Sequence, residues 1–339
     1  MSGESQKSPG FITPVSIAGA GPAGSCAALA ALAEGASVRL FEKSAFPRHK
    51  VCGEFLSPEI QHELEALNVW KEFQEAAPPT IRSVLLHFGR REKSWPLPAP
   101  AFGLSRYTLD RMLLDCAVAR GAELIHEPFH AADGATILAH GRKAAAPKGN
   151  RLFGFKAHFA GPSSDIVELF FQSRGYAGVS AIENGETNVC GLAPESSLAA
   201  HGFEIDRFIS QWDALRNRLN PLSRRTEWLM TGPLVFTRDF ESPTIENQYR
   251  AGDAFGFVDP FTGSGILSAM LTGRRAGSAA ARRISSREYA SQCASALRFP
   301  YLASSLARFA ILTGLADDLA RWLPGRLLFS LTRPHQALK

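Results

Sequence analysis

The chain of 339 residues has no apolar run approaching the roughly 18–20 residues that span a bilayer. Its longest apolar stretches, around Cys26–Ala33 and Phe309–Leu315, are too short for a spanning helix. The polar start, Met1–Gly10, has no apolar core of a secretory signal, so residues 1–11 read as a disordered tail. Cysteine is sparse: five residues, at 26, 52, 116, 190 and 293, odd in number, widely spaced and without a C-x-x-C pair. That pattern excludes a disulfide framework and a zinc site, and no metal is expected. It suits a reducing cytosol, so the expected location is cytoplasmic. There is no fixed-period repeat, and 29 Gly with 21 Pro is ordinary usage. With 45% hydrophobic and 20% charged residues, the chain is globular rather than disordered, and its length suits two domains or one large α/β domain with an insertion.

The net charge of +5 is unevenly placed. From Arg274 onward there are eleven Lys and Arg against three acidic residues, about +8, leaving about −3 for the rest. Three readings of such a basic end remain: nucleic acid, an acidic membrane surface, or a solvated helical face. The tail Phe299–Leu331 mixes Leu, Phe and Trp322 with Arg308, Arg321 and Arg326. An amphipathic basic helix of that kind either touches lipid or packs on the main body. No nucleic-acid-binding module is present, so nucleic acid is not an expected partner.

Pro14–Gly19 reads as a strand, Pro22–Glu34 as an Ala/Leu-rich helix and Ser37–Phe41 as a second strand, a β-α-β start within thirty residues. Pro58–Leu67 and Thr108–Arg120 have helical periodicity; Leu109, Met112, Leu113, Cys116 and Ala117 share one face of the latter. Ile81–Phe88, Glu123–His126 and Thr136–Ala139 are strand candidates. Leu152–Phe159, Ile166–Phe171, Tyr176–Ile182 and Thr187–Leu192 follow as an antiparallel region, with Asn184-Gly185 as a hairpin turn and one helix expected at Glu204–Leu215. Beyond Tyr249–Gly252 the chain is helical, punctuated by Pro300 and Pro324.

Gly19-Ala20-Gly21-Pro22-Ala23-Gly24 is a G-x-G-x-x-G turn between a strand and a helix, the context that gives the pattern its meaning. Gly19 permits the tight turn, Gly21 lets the backbone approach a pyrophosphate, and Gly24 lets helix and strand pack closely. The helix start presents free N–H groups and a favourable dipole to the anion. Glu42 ends the second strand, where a carboxylate accepts hydrogen bonds from ribose hydroxyls. A second glycine-rich turn, Gly252–Ile266, opens a long helix, with Asp253 after a short strand. One nucleotide does not need two such turns; an extended cofactor with a second phosphate–sugar segment and a ring does.

Together these segments resemble the flavoprotein superfamily of geranylgeranyl reductases and group A aromatic hydroxylases. Phe46–Pro58, containing Pro47-Arg48, Cys52-Gly53-Glu54 and Leu56-Ser57-Pro58, is similar to the P-R-x-K-x-C-G-E-x-L-S-P loop of the reductase branch. Asp259-Pro260-Phe261-Thr262-Gly263 and Ser105-Arg106-Tyr107-Thr108-Leu109-Asp110 match that branch as well. The resemblance covers residues 12–270. It implies an α/β fold: a Rossmann-type FAD-binding domain, an antiparallel β-sheet substrate domain over the flavin, and a helical C-terminal region. The expected boundaries are 12–80, 103–150 and 249–285 for the FAD domain, 81–102 and 151–248 for the sheet domain, and 286–339 for the helical region.

The resemblance further implies that Glu42 holds the adenosine ribose, that Arg106 lies near the pyrophosphate, and that Asp253 binds the ribityl or pyrophosphate side. Pro22, Ala23, Lys43, Arg48, Cys52, Gly53 and Pro260 would line the cofactor. Gly263, Gly265 and Ile266 would aim a helix start at the flavin carbonyl edge, where reduced flavin is anionic. The sequence departs from the family in its short Glu127–Ala135 stretch. It departs again where His140-Gly141 stands for the hydroxylases' Asp-Gly pair, with Ala132-Asp133-Gly134 as a literal but strandless alternative. Ser264 occupies a position commonly Glu in reductases. The halogenase W-x-W-x-I-P motif is absent, Trp95-Pro96 being a different pattern, which argues against halogenation.

Two reactions compete on this site: reduction of an isolated alkene in a prenyl or lipid chain, and O₂-dependent hydroxylation of an aromatic, polyketide-like molecule. NAD(P)H is the candidate electron donor, and the substrate is expected to be hydrophobic. Cys52 is a candidate proton donor or redox thiol, or a buried structural cysteine. Lys156 and His158 alternate on one strand face, and with Tyr176 could orient a phenolate; otherwise the pair is a solvent face and Tyr176 a sheet aromatic. The non-enzyme alternative is a flavin-binding protein that has lost catalysis.

Overall fold

A computed structural model describes residues 14–89, 91–131, 133–142, 151–172, 174–234, 236, 244–257 and 262–314. Five short strands form a parallel sheet: β1 (Val15–Ala18), β2 (Val38–Phe41), β6 (Glu123–Ile125), β7 (Thr136–Leu138) and β14 (Gln248–Arg250), in the order β14-β7-β1-β2-β6. Such a sheet is stable only when both faces are covered. Helices α1 (Pro22–Ala33), α4 (Arg106–Ala119) and α8 (Gly265–Ala281) supply much of that cover, and their apolar residues share one core with Ile17, Leu40 and Ile137. The α1–α8 crossing is unusually close. A Cβ on Gly273 or Gly277 would lie 2.1 Å from the carbonyl oxygen of Ala23 or Ala27, so only glycine fits there. Ser105 caps α4 by accepting from the Thr108 N–H, and Leu109, Leu113, Leu114 and Ala117 are its buried stripe. Short helices α2 (Ile60–Ala66) and α3 (Trp70–Glu75) close one side of this layer.

The second sheet comprises β3 (Phe55–Leu56), β4 (Thr80–Phe88), β5 (Arg91–Gly103), β8 (Leu152–Ala160), β9 (Ile166–Gln172), β10 (Gly175–Ile182), β11 (Glu186–Pro194), β12 (Ser223–Arg224) and β13 (Leu229–Leu234). Its order is β12-β8-β11-β10-β9-β4-β5-β3, with β13 also paired to β8. The Asn184-Gly185 turn does join β10 to β11, both residues at positive φ (+60° and +69°), as a tight hairpin needs. The sheet is not wholly antiparallel. β4 and β9 run parallel, because the chain leaves for the first sheet and returns between them, the long crossover that a parallel pair requires.

Three local expectations change. β5 has no counterpart among the strand candidates, although residues 81–102 were expected in the sheet domain; Pro96, Pro98 and Pro100 interrupt its pattern. Beyond β4 it pairs only at Phe102 and Gly103, so its proline-bearing length is an edge, where a missing N–H is tolerated. The helix expected at Glu204–Leu215 is two short ones, α6 (Ile205–Ile209) and α7 (Asp213–Leu219), split at the buried and extended Trp212; α5 (Glu195–Ala199) precedes them. Pro300 does not end a helix but lies inside α9 (Ser286–Thr313). Trp322, Arg321, Arg326 and Pro324 fall outside the described residues.

One face of the second sheet carries Phe155, Ala157, Val179 and Val189 beneath Phe208 and Trp212 of the α6–α7 segment. The opposite face turns toward the first sheet and carries the candidate site.

Candidate active site

A cavity of about 940 Å³ runs between the two sheets. At one end it is walled by the β1–α1 turn with Gly19, Gly21, Pro22 and Ala23, and by Glu42, Lys43 and Arg48 after β2. The start of α8 forms a second wall with Gly263, Gly265 and Ile266. The loop from His49 to Glu54 and the side chains of Arg106, Arg142 and Asp253 complete the polar half.

The glycines divide by what surrounds them. Gly19 has φ +101°, and a Cβ there would meet the Ala139 carbonyl oxygen at 2.5 Å; a Cβ on Gly24 would lie 1.7 Å from the Gly19 oxygen. Both are demanded by packing. A Cβ on Gly21 would find only Arg106 Nη2, at 3.9 Å, and one on Gly265 would find nothing within 4 Å. These two glycines stand at the starts of α1 and α8 and leave open space in the cavity wall, where a ligand's own atoms can approach the backbone. Ser180 Oγ lies in the same wall, buried and without a hydrogen-bond partner among the described residues.

Charge follows the same plan. Arg48, Lys50, Arg106 and Arg142 converge on the polar half. Arg106 forms a bidentate pair with Asp110 (2.6 and 2.7 Å) that fixes its guanidinium beside Gly21. Burial lowers Lys50, and its neighbours Arg106 and Arg48 lower it further. Burial raises Asp253, against the opposing pull of Arg142, Arg106 and Lys50. Burial alone would raise Glu42, but the N–H groups of Ala20 (3.0 Å) and Ser44 (2.8 Å), with Arg48, hold it below the usual carboxylate range. Its oxygens retain acceptor capacity for a ribose hydroxyl. The residues therefore fit a dinucleotide with a pyrophosphate: two helix starts, a cationic cluster and an ionised carboxylate at one end.

Ala139, His140, Gly141 and Arg142 follow β7 directly into the wall, whereas Asp133 and Gly134 sit in the turn before that strand. Pro260 lies outside the described residues. The other half of the cavity is apolar, lined by Val84, Leu86, Trp95, Val167, Leu169 and Leu234, with Tyr176 beside them.

Lys156 and His158 share one strand face, and it is not a solvent face: they are 1% and 3% exposed. Both turn onto Glu54, itself 0% exposed. Lys156 Nζ pairs with Glu54 Oε1 and donates to the Lys50 carbonyl (3.2 Å); His158 Nε2 bonds Glu54 Oε2 at 2.7 Å. Glu54 Oε1 also accepts from the Arg106 N–H at 2.6 Å. Burial pushes Glu54 upward, but the His158 hydrogen bond and the Lys156 charge outweigh it and hold the carboxyl low. On the neighbouring strand, Asn188 Nδ2 bonds the carbonyls of Cys52 (3.0 Å) and Gly53 (2.9 Å). The loop carrying Cys52 is thus clamped to the sheet, and its partly exposed thiol lies in the cavity wall beside Arg106. Cys190 lines the same wall; burial, then the nearby Cys52 and Glu54, pushes its thiol up to about 12. Glu54 as hub, Lys50 and Arg142 were missed as site residues. Nothing in spacing marks them, because their partners lie far along the chain: Lys156 and His158 for Glu54, Lys156 for the Lys50 carbonyl, and Thr231 and Asp253 for Arg142.

The fold is a Rossmann-type layer facing a larger mixed sheet, as in known flavoproteins, and the cavity between them has the polar lining that a dinucleotide needs. No family model matches the chain. It is similar to a menaquinone reductase of Mycobacterium tuberculosis, 27% identical over 315 aligned residues, covering 77% of this chain and 75% of the relative. Among solved structures it resembles a triple mutant of the flavin-dependent brominase Bmp2, with a TM-score of 0.78, 17% identity, and 95% and 94% coverage of the two chains. A geranylgeranyl bacteriochlorophyll reductase-like protein from Thermoplasma acidophilum gives a TM-score of 0.68 at 16% identity, covering 94% and 91%. These structural likenesses speak to the fold.

Proposed function

We propose that the chain is an FAD-dependent reductase that adds two hydrogens across an isolated double bond in a hydrophobic prenyl or lipid-like molecule, with NAD(P)H as electron donor. The observation that carries this is the apolar half of the cavity, continuous with the polar half that suits the cofactor. The relatives named menaquinone reductase support it, since their named substrate is a hydrophobic quinone. The hydroxylation reading loses its phenolate-orienting pair, because Lys156 and His158 spend their hydrogen bonds on Glu54.

Reduced FAD would supply the hydride and the Cys52 thiol or solvent the matching proton, while the protein supplies binding, orientation and electrostatics. The N–H groups at the start of α1 and the Arg106 guanidinium hold the pyrophosphate, and Glu42 accepts from the ribose hydroxyls. The start of α8, at Gly265 and Ile266, favours negative charge on the ring's carbonyl edge. Val84, Leu86, Val167 and Leu169 exclude water and hold an alkyl chain. The test is anaerobic: photoreduced, FAD-loaded protein is mixed with a prenylated quinone or a prenyl alcohol, and the product is weighed by mass spectrometry. Gain of two hydrogens is expected. Turnover only in oxygen, with gain of one oxygen atom, establishes hydroxylation instead.

A further inference from the structure

Helix α9 carries an apolar stripe on its outer face. Phe299, Leu302, Leu306 and Phe309 recur at helical spacing and are 58%, 48%, 61% and 61% exposed. The inner face of the same segment is also apolar, with Leu297, Pro300, Tyr301, Ala310 and Ile311 buried against the body. A helix apolar on both faces needs cover on its outer side as well.

Charge indicates what covers it. At 3.6 residues per turn, Arg287 and Arg298 fall on the flank of the stripe and Glu288, the sole acid of α9, on the stripe's own line, so this side of the helix carries two arginines against one acid. From Arg274 to Gly314 there are seven arginines and one acidic residue. An outer face with arginines toward one end and exposed Phe and Leu toward the other has the composition of a helix lying in an anionic lipid interface.

Position agrees. The stripe's end abuts the apolar end of the cavity. Arg308 lies over Phe236 (3.9 Å), and Phe236 stacks on Phe257 (5.1 Å), a cavity residue. Ile311 and Leu312 meet Tyr176 and Leu192, which line the cavity too. Leu229 and Met230 of β13 are both cavity-lining and exposed, an apolar rim.

We propose that the outer face of α9 is a docking surface for an anionic phospholipid bilayer, seating the apolar end of the cavity at the membrane where a lipid-like substrate resides. The docking stands on the α9 face alone; only its purpose rests on the reductase reading.

The test uses the full-length, flavin-loaded protein and needs no turnover. Co-sedimentation is measured with vesicles of phosphatidylcholine and of phosphatidylcholine with phosphatidylglycerol, at low and high salt. Binding to the anionic vesicles, weakened by salt, is expected. L306S/F309S should lower the partition coefficient by about a hundredfold, the loss of two apolar side chains from the interface. R287Q/R298Q should lower it less and remove most of the salt dependence. Unchanged flavin absorbance and melting temperature show that the variants are folded. No binding to anionic vesicles overturns the proposal. So does a wild-type dimer that L306S/F309S converts to monomer without vesicle binding, which assigns the face to a second copy. Vesicle binding without alkene reduction leaves the docking intact and overturns only the reaction.

Discussion

Replacing Glu54 by Leu removes the carboxylate that, among the described residues, pairs with both Lys156 and His158, Glu186 facing His158 alone at 3.5 Å; the Glu54, Lys156 and His158 side chains are 0%, 1% and 3% exposed. Breaking a buried ion pair leaves an uncompensated charge and costs about 3–5 kcal/mol. Against a typical total stability of about 5–15 kcal/mol, that is a large fraction. The melting temperature should fall by roughly 4–7 °C. The Arg106 N–H and the Lys156 ammonium both lose an acceptor, so the loop from Lys50 to Glu54 should loosen as well. E54L/K156M, which removes the stranded ammonium, should recover at least half of the loss. The pH dependence has a definite sign. Because the folded carboxyl is held low, its contribution is complete above the unfolded value of about 4.3 and disappears as pH falls through the lower folded one. The gap between wild type and E54L should therefore narrow on acidification below about pH 4.3. Circular dichroism melts of the three proteins at neutral and acidic pH decide the matter. A single variant within about 1 kcal/mol of wild type, or a double variant no better than the single, would falsify the buried-pair account.

Further outcomes follow from the cavity wall. G21V should fold with a near wild-type melting temperature yet bind FAD at least about a hundredfold more weakly by fluorescence titration, since its side chain projects into open cavity space. G24V should give no soluble protein, because its Cβ would collide with the Gly19 carbonyl. E42A leaves the Ala20 and Ser44 N–H groups without their acceptor, costs about 1–3 kcal/mol, and should weaken FAD retention. Wild type should hold FAD well into mildly acidic buffer, because Glu42 remains ionised there, which gel filtration with absorbance detection will show. G273L wedges α8 from α1 and should lower stability by about 3 kcal/mol or more, read from urea melts.

The first turn of the site was legible in the sequence. A strand, a glycine turn, a helix and Glu42 lie within thirty positions, and local conformational demands alone specify such a unit. The β10–β11 hairpin was legible for the same reason, because Asn184-Gly185 meets the positive-φ requirement of its turn. Alternation put Lys156 and His158 on one face but could not say what covered it. A period of two is the same whether that face meets water or a buried carboxylate from residue 54. β5 was obscured by its prolines, since nothing local distinguishes a broken strand from an edge strand. What demands glycine at 273 and 277 is the backbone of α1, which nothing within α8 itself announces.

By itself, then, the sequence determined the β-α-β start, its glycine turn and the place of Glu42 after the second strand, all consequences of short-range backbone geometry. The tertiary structure decided the remainder: that Glu54 serves Lys156 and His158, that the apolar half of the cavity joins the polar half, and that the outer face of α9 stays exposed. Each depends on which distant surfaces exclude water from one another, and burial is a property of the packed chain rather than of any segment within it.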